Sequence, residues 1–357
     1  MRFVPVNCLK EGMISARQIV GRQGELLVNS GAVIYDSYAK RIRELGYSGI
    51  YIEDKLSEDI EVVEIISQDL RFKTVKAVKN TFAMMESGKF ATERQMKDLS
   101  SLIDGIVDEA LSNKGLMINM MDLKIFDDYT FYHSVNATVL SVVLGISLNM
   151  NRDQLYKLAV SAMLHDIGKV FIPKEILNKP GKLDENEFEI MKSHSFRGYQ
   201  YLKDHCDIPV LSYIGILHHH EKYDGTGYPS NTKGEQISLF GRVIAVADIY
   251  DALTSDRPYR KAMMPSEAAE YVMGAGGTVI DPNLAKTFMQ NIAPYPIGVC
   301  VLLSNNYEGL VVENYRDCCM RPKIKVIRQD DREVTPYIMD LKNDAATRGI
   351  TIIGVVS

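Results

Sequence analysis

The residues with the clearest chemical potential are histidines and aspartates in the middle of the sequence. His165 and Asp166 are adjacent, so their side chains leave the backbone in neighbouring directions and can serve one metal ion or two neighbouring ions. A buried aspartate is costly unless a cation pairs with it. An isolated pair of this kind is more often a capping aspartate beside a core histidine. Further histidines in the same helical region make a metal site the better interpretation here.

Two apolar helices are expected around this pair. Leucines, alanines and a methionine recur at helical spacing over residues 154–164, which predicts a helix that leads directly into His165, with Gly168 ending the periodic run. A second helix, through residues 135–146, is apolar nearly all round. His133 precedes this stretch on the same predicted helix, and we therefore expect it to be buried.

The other histidines and aspartates also belong to predicted helices. Asp184 and Glu187 have the spacing of a capping box, and the helix that they begin carries His194 about three turns later. A helix over residues 208–221 carries three consecutive histidines at its end. Periodicity alone does not choose between the pairs His218–His219 and His219–His220.

One more helix completes the predicted set. It covers residues 242–254 and places Asp248 and Asp251 on one face, at positions i and i+3. Six of the seven histidines are therefore on or near apolar helices, whereas His205 lies in a polar stretch and is expected at the surface. Helical bundles build metal sites from side chains that converge in this way. Mixed imidazole and carboxylate ligands suit iron, manganese, zinc or similar divalent ions, and two such ions can clamp a phosphate for in-line attack.

Composition excludes several other classes. The chain has 357 residues, a net charge of −5 and no long basic run, which argues against binding nucleic acid through its phosphate backbone. Five cysteines without a C-x-x-C pair argue against a disulfide framework. The N-terminus lacks an apolar signal core, and the longest apolar run, residues 135–150, is too short for a membrane span. We expect a soluble cytoplasmic protein.

The patterning predicts four segments. Residues 1–56 form a small α/β module with a hairpin around residues 21–24, and residues 57–124 form a helical linker. Residues 125–290 form the helical core, and residues 291–357 form a small β-rich module. The linker helices are expected at 59–85 and 92–113, and C-terminal strands at 298–303, 309–312, 323–327 and 350–353.

Three motifs in order resemble the HD-GYP family of cyclic-dinucleotide phosphodiesterases. His165-Asp-Ile-Gly-Lys169 and His219-His-Glu-Lys-Tyr-Asp-Gly-Thr-Gly-Tyr-Pro229 are similar to the two signatures of that family. Val246-Ala-Asp-Ile-Tyr-Asp-Ala-Leu-Thr-Ser-Asp-Arg-Pro-Tyr-Arg-Lys261 resembles a third. The resemblance covers about residues 125–290 and implies a mainly α protein, whose HD-type helical catalytic bundle lies between the two small terminal modules.

The resemblance also implies roles for particular residues. The family places its histidine pair directly before the glutamate, which selects His219 and His220 and leaves His218 for packing or outer support. Lys169 would meet a phosphate oxygen or protonate the leaving group, and Tyr228 would hold the substrate together with Arg257 and Arg260. Asp166 would bridge two divalent ions of iron, manganese or a similar metal. The implied ligands are His133, His165, Asp166, His194, His219, His220 and Asp248.

One position departs from the pattern of some family members. A glutamate that helps to hold a third ion is replaced here by Tyr129, whose hydroxyl is a poor ligand at neutral pH. Two ions are therefore expected rather than three. The departure leaves open whether hydrolysis stops at the linear dinucleotide pGpG or continues to GMP.

The expected function is metal-dependent hydrolysis of a cyclic dinucleotide, most simply cyclic di-GMP, which would terminate second-messenger signalling. The alternatives are a hydrolase of another cyclic dinucleotide or phosphoester, and an inactive sensor that binds the dinucleotide without cleaving it. The intact ligand set argues against the sensor. The terminal modules are candidate contacts for a homodimer or a protein partner.

Overall fold

The structure is a computed structural model that describes residues 1–21, 25–88, 92–119, 129–255, 262–330 and 332–356. The chain forms two compact units. The first comprises residues 1–64, 117–129 and 292–357, and the second comprises residues 65–116 and 130–291.

The N-terminal part of the first unit is a small α/β arrangement, as predicted. Its elements are β1 (Arg2–Pro5), β2 (Ile14–Ser15), β3 (Ile19–Val20), β4 (Leu26–Val28), α1 (Asp36–Glu44) and β5 (Gly49–Glu53). Strand β5 lies between β1 and β2 in an antiparallel sheet, and β3 pairs with β4 as the predicted hairpin.

The C-terminal part of the first unit is a five-stranded antiparallel sheet. Its strands are β6 (Cys300–Leu303), β7 (Tyr307–Glu313), β8 (Lys323–Gln329), β9 (Arg332–Asp340) and β10 (Ile352–Val355), in the order β10-β6-β7-β8-β9. Strand β9 is absent from the sequence prediction. It contains Pro336 and is largely exposed, which an edge strand tolerates because its outer side needs no backbone donor. The sheet shares a hydrophobic core with Phe3 and Tyr51 of the N-terminal part.

The second unit begins with two of the predicted helices, α2 (Gln68–Glu86) and α3 (Glu93–Ser112). The expected start of the first of them at residue 59 is wrong. Ile60 and Val62 instead pack in the core of the first unit, and α2 begins after Ser67, whose side chain accepts a hydrogen bond from the Leu70 amide.

The remaining helices of the second unit include the five predicted around the histidines and aspartates, in the predicted order, and three that were not predicted: Lys174–Leu177, Pro265–Gly274 and Pro282–Met289. They are α4 (Tyr129–Ser147), α5 (Arg152–Leu164), α6 (Lys174–Leu177), α7 (Glu185–His205), α8 (Val210–His218), α9 (Leu239–Thr254), α10 (Pro265–Gly274) and α11 (Pro282–Met289). A 3-10 turn, Ile167–Phe171, follows α5. The mainly helical class with small terminal sheets is thus confirmed. Among the described residues, no helix combines the length and the apolar character that crossing a membrane would require.

Candidate metal centre

The second unit brings all seven expected ligands into two adjacent groups. Asp166, His194, His219 and His220 form one group, and His133, His165 and Asp248 form the other, with the ligand atoms of each group within 4.8 Å of one another. The groups meet at Asp166 and at His220, whose Nδ1 lies 4.0 Å from Asp248 Oδ2. Five helices or their ends contribute, as the bundle prediction requires.

A hydrogen bond to the backbone carbonyl three residues earlier gives three of the imidazoles the same orientation. The Nδ1–H of His165 donates to the Ala162 carbonyl, that of His194 to the Met191 carbonyl, and that of His219 to the Ile216 carbonyl, at 2.7, 2.7 and 2.6 Å. A carbonyl only accepts, so the proton is on Nδ1 and the lone pair is on Nε2.

These lone pairs converge on the same small volume. The Nε2 atoms of His194 and His219 are 3.4 Å apart, and those of His133 and His165 are 3.2 Å apart. The Nε2 atoms of His194 and His219 both carry lone pairs, and at this distance they repel each other unless a cation lies near both. The donor set therefore fits divalent metal ions.

The electrostatics agree with this assignment. Burial lowers the pKa of His165 and His219, and it lowers the pKa of His194 to about 4 and that of His220 to about 3. These four imidazoles are therefore neutral near pH 7, which is the state that binds metal.

His133 differs because two carboxylates face its ring. Burial lowers its pKa, but hydrogen bonds with Asp248 and Asp251 outweigh the burial and raise the pKa to about 10. The pair of carboxylates thus requires positive charge at this imidazole, either a proton or a metal ion. Burial alone would raise the pKa of Asp248, but the hydrogen bond with His133 holds this pKa well below its usual range.

The two carboxylate oxygens of Asp166 lie near different ligand groups. Oδ1 lies 3.4 Å from His194 Nε2, whereas Oδ2 lies 3.5 Å from His165 Nε2 and 2.5 Å from Lys169 Nζ. Oδ1 is buried and accepts no hydrogen bond from the described residues. Burial would raise the pKa of this carboxyl, but Lys169 and the surrounding imidazoles hold it well below its usual range. A buried, ionised oxygen without a donor is what a bridging metal ligand presents before the ion binds.

Asp251 is a functional candidate to which the sequence argument gave no role. It is fully buried, and its Oδ2 lies 2.6 Å from His133 Nδ1. A carboxylate on the far nitrogen of a ligand histidine fixes the ring and its tautomer. The shared face with Asp248 was visible in the sequence, but periodicity does not show which of the two aspartates faces the centre.

Gly168 has a different role from the one expected. Helix α5 already ends at Leu164, and Gly168 lies within the 3-10 turn that follows. A Cβ atom at Gly168 would lie 1.9 Å from the His194 carbonyl oxygen, so the absence of a side chain allows this turn to pack directly on α7.

The Gly-Tyr-Pro loop places Tyr228 against the centre. Its ring centroid is 4.8 Å from that of His220, and its amide donates to the His220 carbonyl. Burial raises the pKa of the Tyr228 hydroxyl, so the phenol stays a hydrogen-bond donor. Glu221, which is 3% exposed, holds the same loop by accepting hydrogen bonds from the Ser230 and Thr232 amides at 2.7 and 3.0 Å.

We expect Glu221→Gln to loosen this loop, because only one of the two amides can then find an acceptor. The other would face the new NH2 group, and an unsatisfied buried donor costs about 1–3 kcal/mol. Urea unfolding should show this loss, and the KM for the substrate should rise if Tyr228 contacts it. Glu235→Gln, at an exposed residue near the same loop, is the matched control. Equal stability of the two variants would contradict the role of Glu221 in holding the loop.

The other predicted residues have these positions. His218 Nδ1 accepts from the amide of Ser238, the N-cap of α9, and so supports the start of that helix. His205 is exposed at the end of α7. Arg257 and Arg260 lie outside the described residues, as does the side chain of Tyr129.

Comparison with known proteins agrees with this geometry. A family model of the HD domain matches residues 115–284. Cyclic di-GMP phosphodiesterase PA4108 of Pseudomonas aeruginosa is 37% identical over 352 residues, which cover 91% of this chain and 85% of that protein. The 3′3′-cGAMP-specific phosphodiesterase 1 of Vibrio cholerae is 39% identical over 162 residues, which cover 45% of this chain and 37% of that protein.

A solved structure shares the fold. Bd1817, described as a HDG"Y"P protein from Bdellovibrio bacteriovorus, aligns with a TM-score of 0.52 at 16% identity, covering 80% of this chain and 97% of that chain. The likeness to PA4108 extends over nearly the whole chain and includes the segment that carries all seven converging residues. The chain therefore belongs to the HD-GYP family of HD-domain phosphodiesterases.

Proposed function

We propose that this chain hydrolyses a cyclic dinucleotide, with cyclic di-GMP as its substrate, at a centre of two divalent metal ions. The observation that carries the proposal is the pair of ligand groups that meet at Asp166. One group would be His133, His165 and Asp248, and the other His194, His219 and His220, with Asp166 serving both. When bound, two such ions supply Lewis-acid stabilisation of the charge that develops on the phosphate.

Among the described residues, Lys169 is a cation well placed to contact the phosphate. Its Nζ is 2.5 Å from Asp166 Oδ2, and its side chain remains 29% exposed. It therefore lies at the boundary between the buried ligands and solvent, where a phosphate oxygen can replace water around it. In ester hydrolysis the attacking water gives up a proton and bonds to phosphorus as the bond to the sugar oxygen breaks, and the sugar oxygen takes up a proton. Lys169 is positioned to stabilise the phosphate charge or to supply this proton.

Tyr228 is the proposed contact to the nucleotide. Its ring lies against His220, and its protonated hydroxyl can donate to a phosphate or base. Arg257 and Arg260 are retained as proposed substrate contacts, since a guanidinium can bind phosphate through two hydrogen bonds.

Other features are proposed on the basis of the sequence. Iron or manganese fits the nitrogen and oxygen donors, and Tyr129 favours two ions over three. The proposal also includes a catalytic segment at residues 125–290 and a linker at residues 57–124. It further includes association through the terminal modules and a cytoplasmic location.

The test uses the full chain, stripped of metal and then reloaded with Mn²⁺ or with Fe²⁺ under anaerobic conditions. We expect cyclic di-GMP to be consumed only after loading, with chromatography resolving linear pGpG from GMP over time. Elemental analysis should give about two ions per chain.

A second experiment compares the rates at which the loaded protein hydrolyses cyclic di-GMP and 3′3′-cGAMP, because one relative is named as specific for 3′3′-cGAMP. Faster turnover of 3′3′-cGAMP would replace the substrate assignment and leave the enzyme assignment in place. Tight binding of cyclic di-GMP by loaded protein without any cleavage would show a sensor instead.

A further inference from the structure

A buried arginine outside the matched HD segment reaches one of the proposed ligand groups. Arg71 belongs to α2, whereas the HD family model begins at residue 115. The residue is 5% exposed, and its Nη1 donates to Asn136 Oδ1 at 3.0 Å. Asn136 is 2% exposed and lies on α4, one turn after His133.

The contacts continue from Asn136 to the centre. Asn136 Nδ2 donates to Asp251 Oδ1 at 2.9 Å, and Asp251 Oδ2 lies 2.6 Å from His133 Nδ1. His133 Nε2 then lies 3.1 Å from Asp248 Oδ1. Arg71, Asn136 and Asp251 thus form one buried chain of hydrogen bonds that ends on a proposed metal ligand.

The direction of every bond in this chain follows from its first member. An arginine only donates, so the Asn136 amide must turn its oxygen toward Arg71 and its NH2 group toward Asp251. The Asp251 carboxylate then accepts from Asn136 on Oδ1 and accepts the Nδ1–H of His133 on Oδ2. The Nε2 atom of His133, which faces His165 and Asp248, is then the nitrogen left to bind an ion.

We infer that Arg71 is a positioning residue for the metal centre: through Asn136 and Asp251 it fixes the ring orientation and tautomer with which His133 binds its ion. The inference rests on the proposed metal centre and adds to it a residue from the helix that precedes the HD segment. Arg71 itself touches neither ion nor substrate in this assignment.

The experiment measures ion affinity rather than turnover. Metal-free full-length protein is titrated with Mn²⁺ in competition with a chromophoric chelator, so that two binding constants are resolved. For Arg71→Met we expect the affinity of one ion to fall by about 10- to 100-fold, as for other supporting partners of ligand histidines, and the second affinity to stay unchanged. Arg71→Lys should recover most of the loss because it keeps a charged donor.

Arg152→Met is the matched control. Arg152 is exposed on α5 and pairs with Asp104 and Asp108 of α3, away from the chain of bonds. We expect both of its ion affinities to equal those of the wild type. If Arg71→Met does not fold, Arg71→Gln provides the comparison, because a glutamine both donates and accepts. It then permits either orientation of Asn136, and affinity should fall in a folded protein.

Several outcomes separate this inference from the proposed function. Reduced thermal stability of the Arg71 variants with both ion affinities intact would overturn the inference and show a purely structural arginine. An equal loss of affinity for both ions would also overturn the inference, because it would indicate general loosening of the helical bundle. Wild-type protein that binds no ion would instead overturn the metal centre itself. A selective loss for one ion, recovered by Arg71→Lys, would support the positioning role.

Discussion

Asp166→Asn should abolish most of the activity and weaken the binding of both ions. The amide has nearly the shape of the carboxylate but carries no charge, and only one of its two atoms can act as a ligand. A metal centre is worth several kcal/mol in transition-state stabilisation, and loss of about 4 kcal/mol corresponds to a roughly 10³-fold lower kcat. Kinetics at saturating substrate and elemental analysis of the same preparation give the two readouts.

Asp153→Asn is the control for this change. Asp153 lies near the start of α5, the helix that ends shortly before Asp166, and its 67% exposed side chain pairs with Lys157. Removing such a surface charge should change little. An Asp166→Asn protein that keeps two tightly bound ions would show that the carboxylate does not bridge them, and Lys169 would then be its structural partner.

The convergence of the seven residues could be predicted because each is tied to a strong local pattern. The capping box at Asp184 and the apolar periodicity of α4 and α5 fixed which helices exist, and the order of the motifs indicated which residues share a site. The pairing of His219 with His220 needed the family resemblance. In the structure His219 is the C-cap of α8 and His220 follows it, so helical periodicity does not predict the directions of their side chains.

Other features depended on long-range contacts that no local pattern records. Arg71 is one basic residue on an amphipathic helix, and its burial follows only from the packing of α2 against the rest of its unit. The late start of α2 has a similar cause, because the apolar residues Ile60 and Val62 pack in the core of the first unit. Strand β9 was missed because an exposed edge strand lacks the alternation that marks a half-buried one.

The second large effect is expected at Gly168, where space rather than charge is limiting. A Cβ atom there would lie 1.9 Å from the His194 carbonyl oxygen and 2.6 Å from the Gly198 amide nitrogen. Both are backbone atoms, so rotation of a side chain cannot relieve the clash, and either the turn or α7 must move. We expect Gly168→Ala to lower the free energy of unfolding by about 1–3 kcal/mol or more, as measured by urea unfolding.

Two other glycines give a graded comparison. A Cβ atom at Gly198 would meet its nearest neighbour at 3.0 Å, and one at Gly274 would meet nothing within 4 Å. Gly198→Ala should therefore cost less than Gly168→Ala. Gly274→Ala, at the end of α10, should be neutral or stabilising by up to about 1 kcal/mol, because alanine favours a helix over glycine.

The same substitution should also reach the metal centre. The carbonyl that the new methyl group would strike belongs to His194, and the turn that carries Gly168 begins directly after Asp166. Displacement of either element separates Asp166 Oδ1 from His194 Nε2, which now lie 3.4 Å apart. Ion affinity at the group of Asp166, His194, His219 and His220 should therefore fall together with stability. If Gly168→Ala were destabilised yet bound both ions as tightly as the wild type, the contact would serve packing alone, and the closeness of the turn to α7 would not be what holds Asp166 and His194 together.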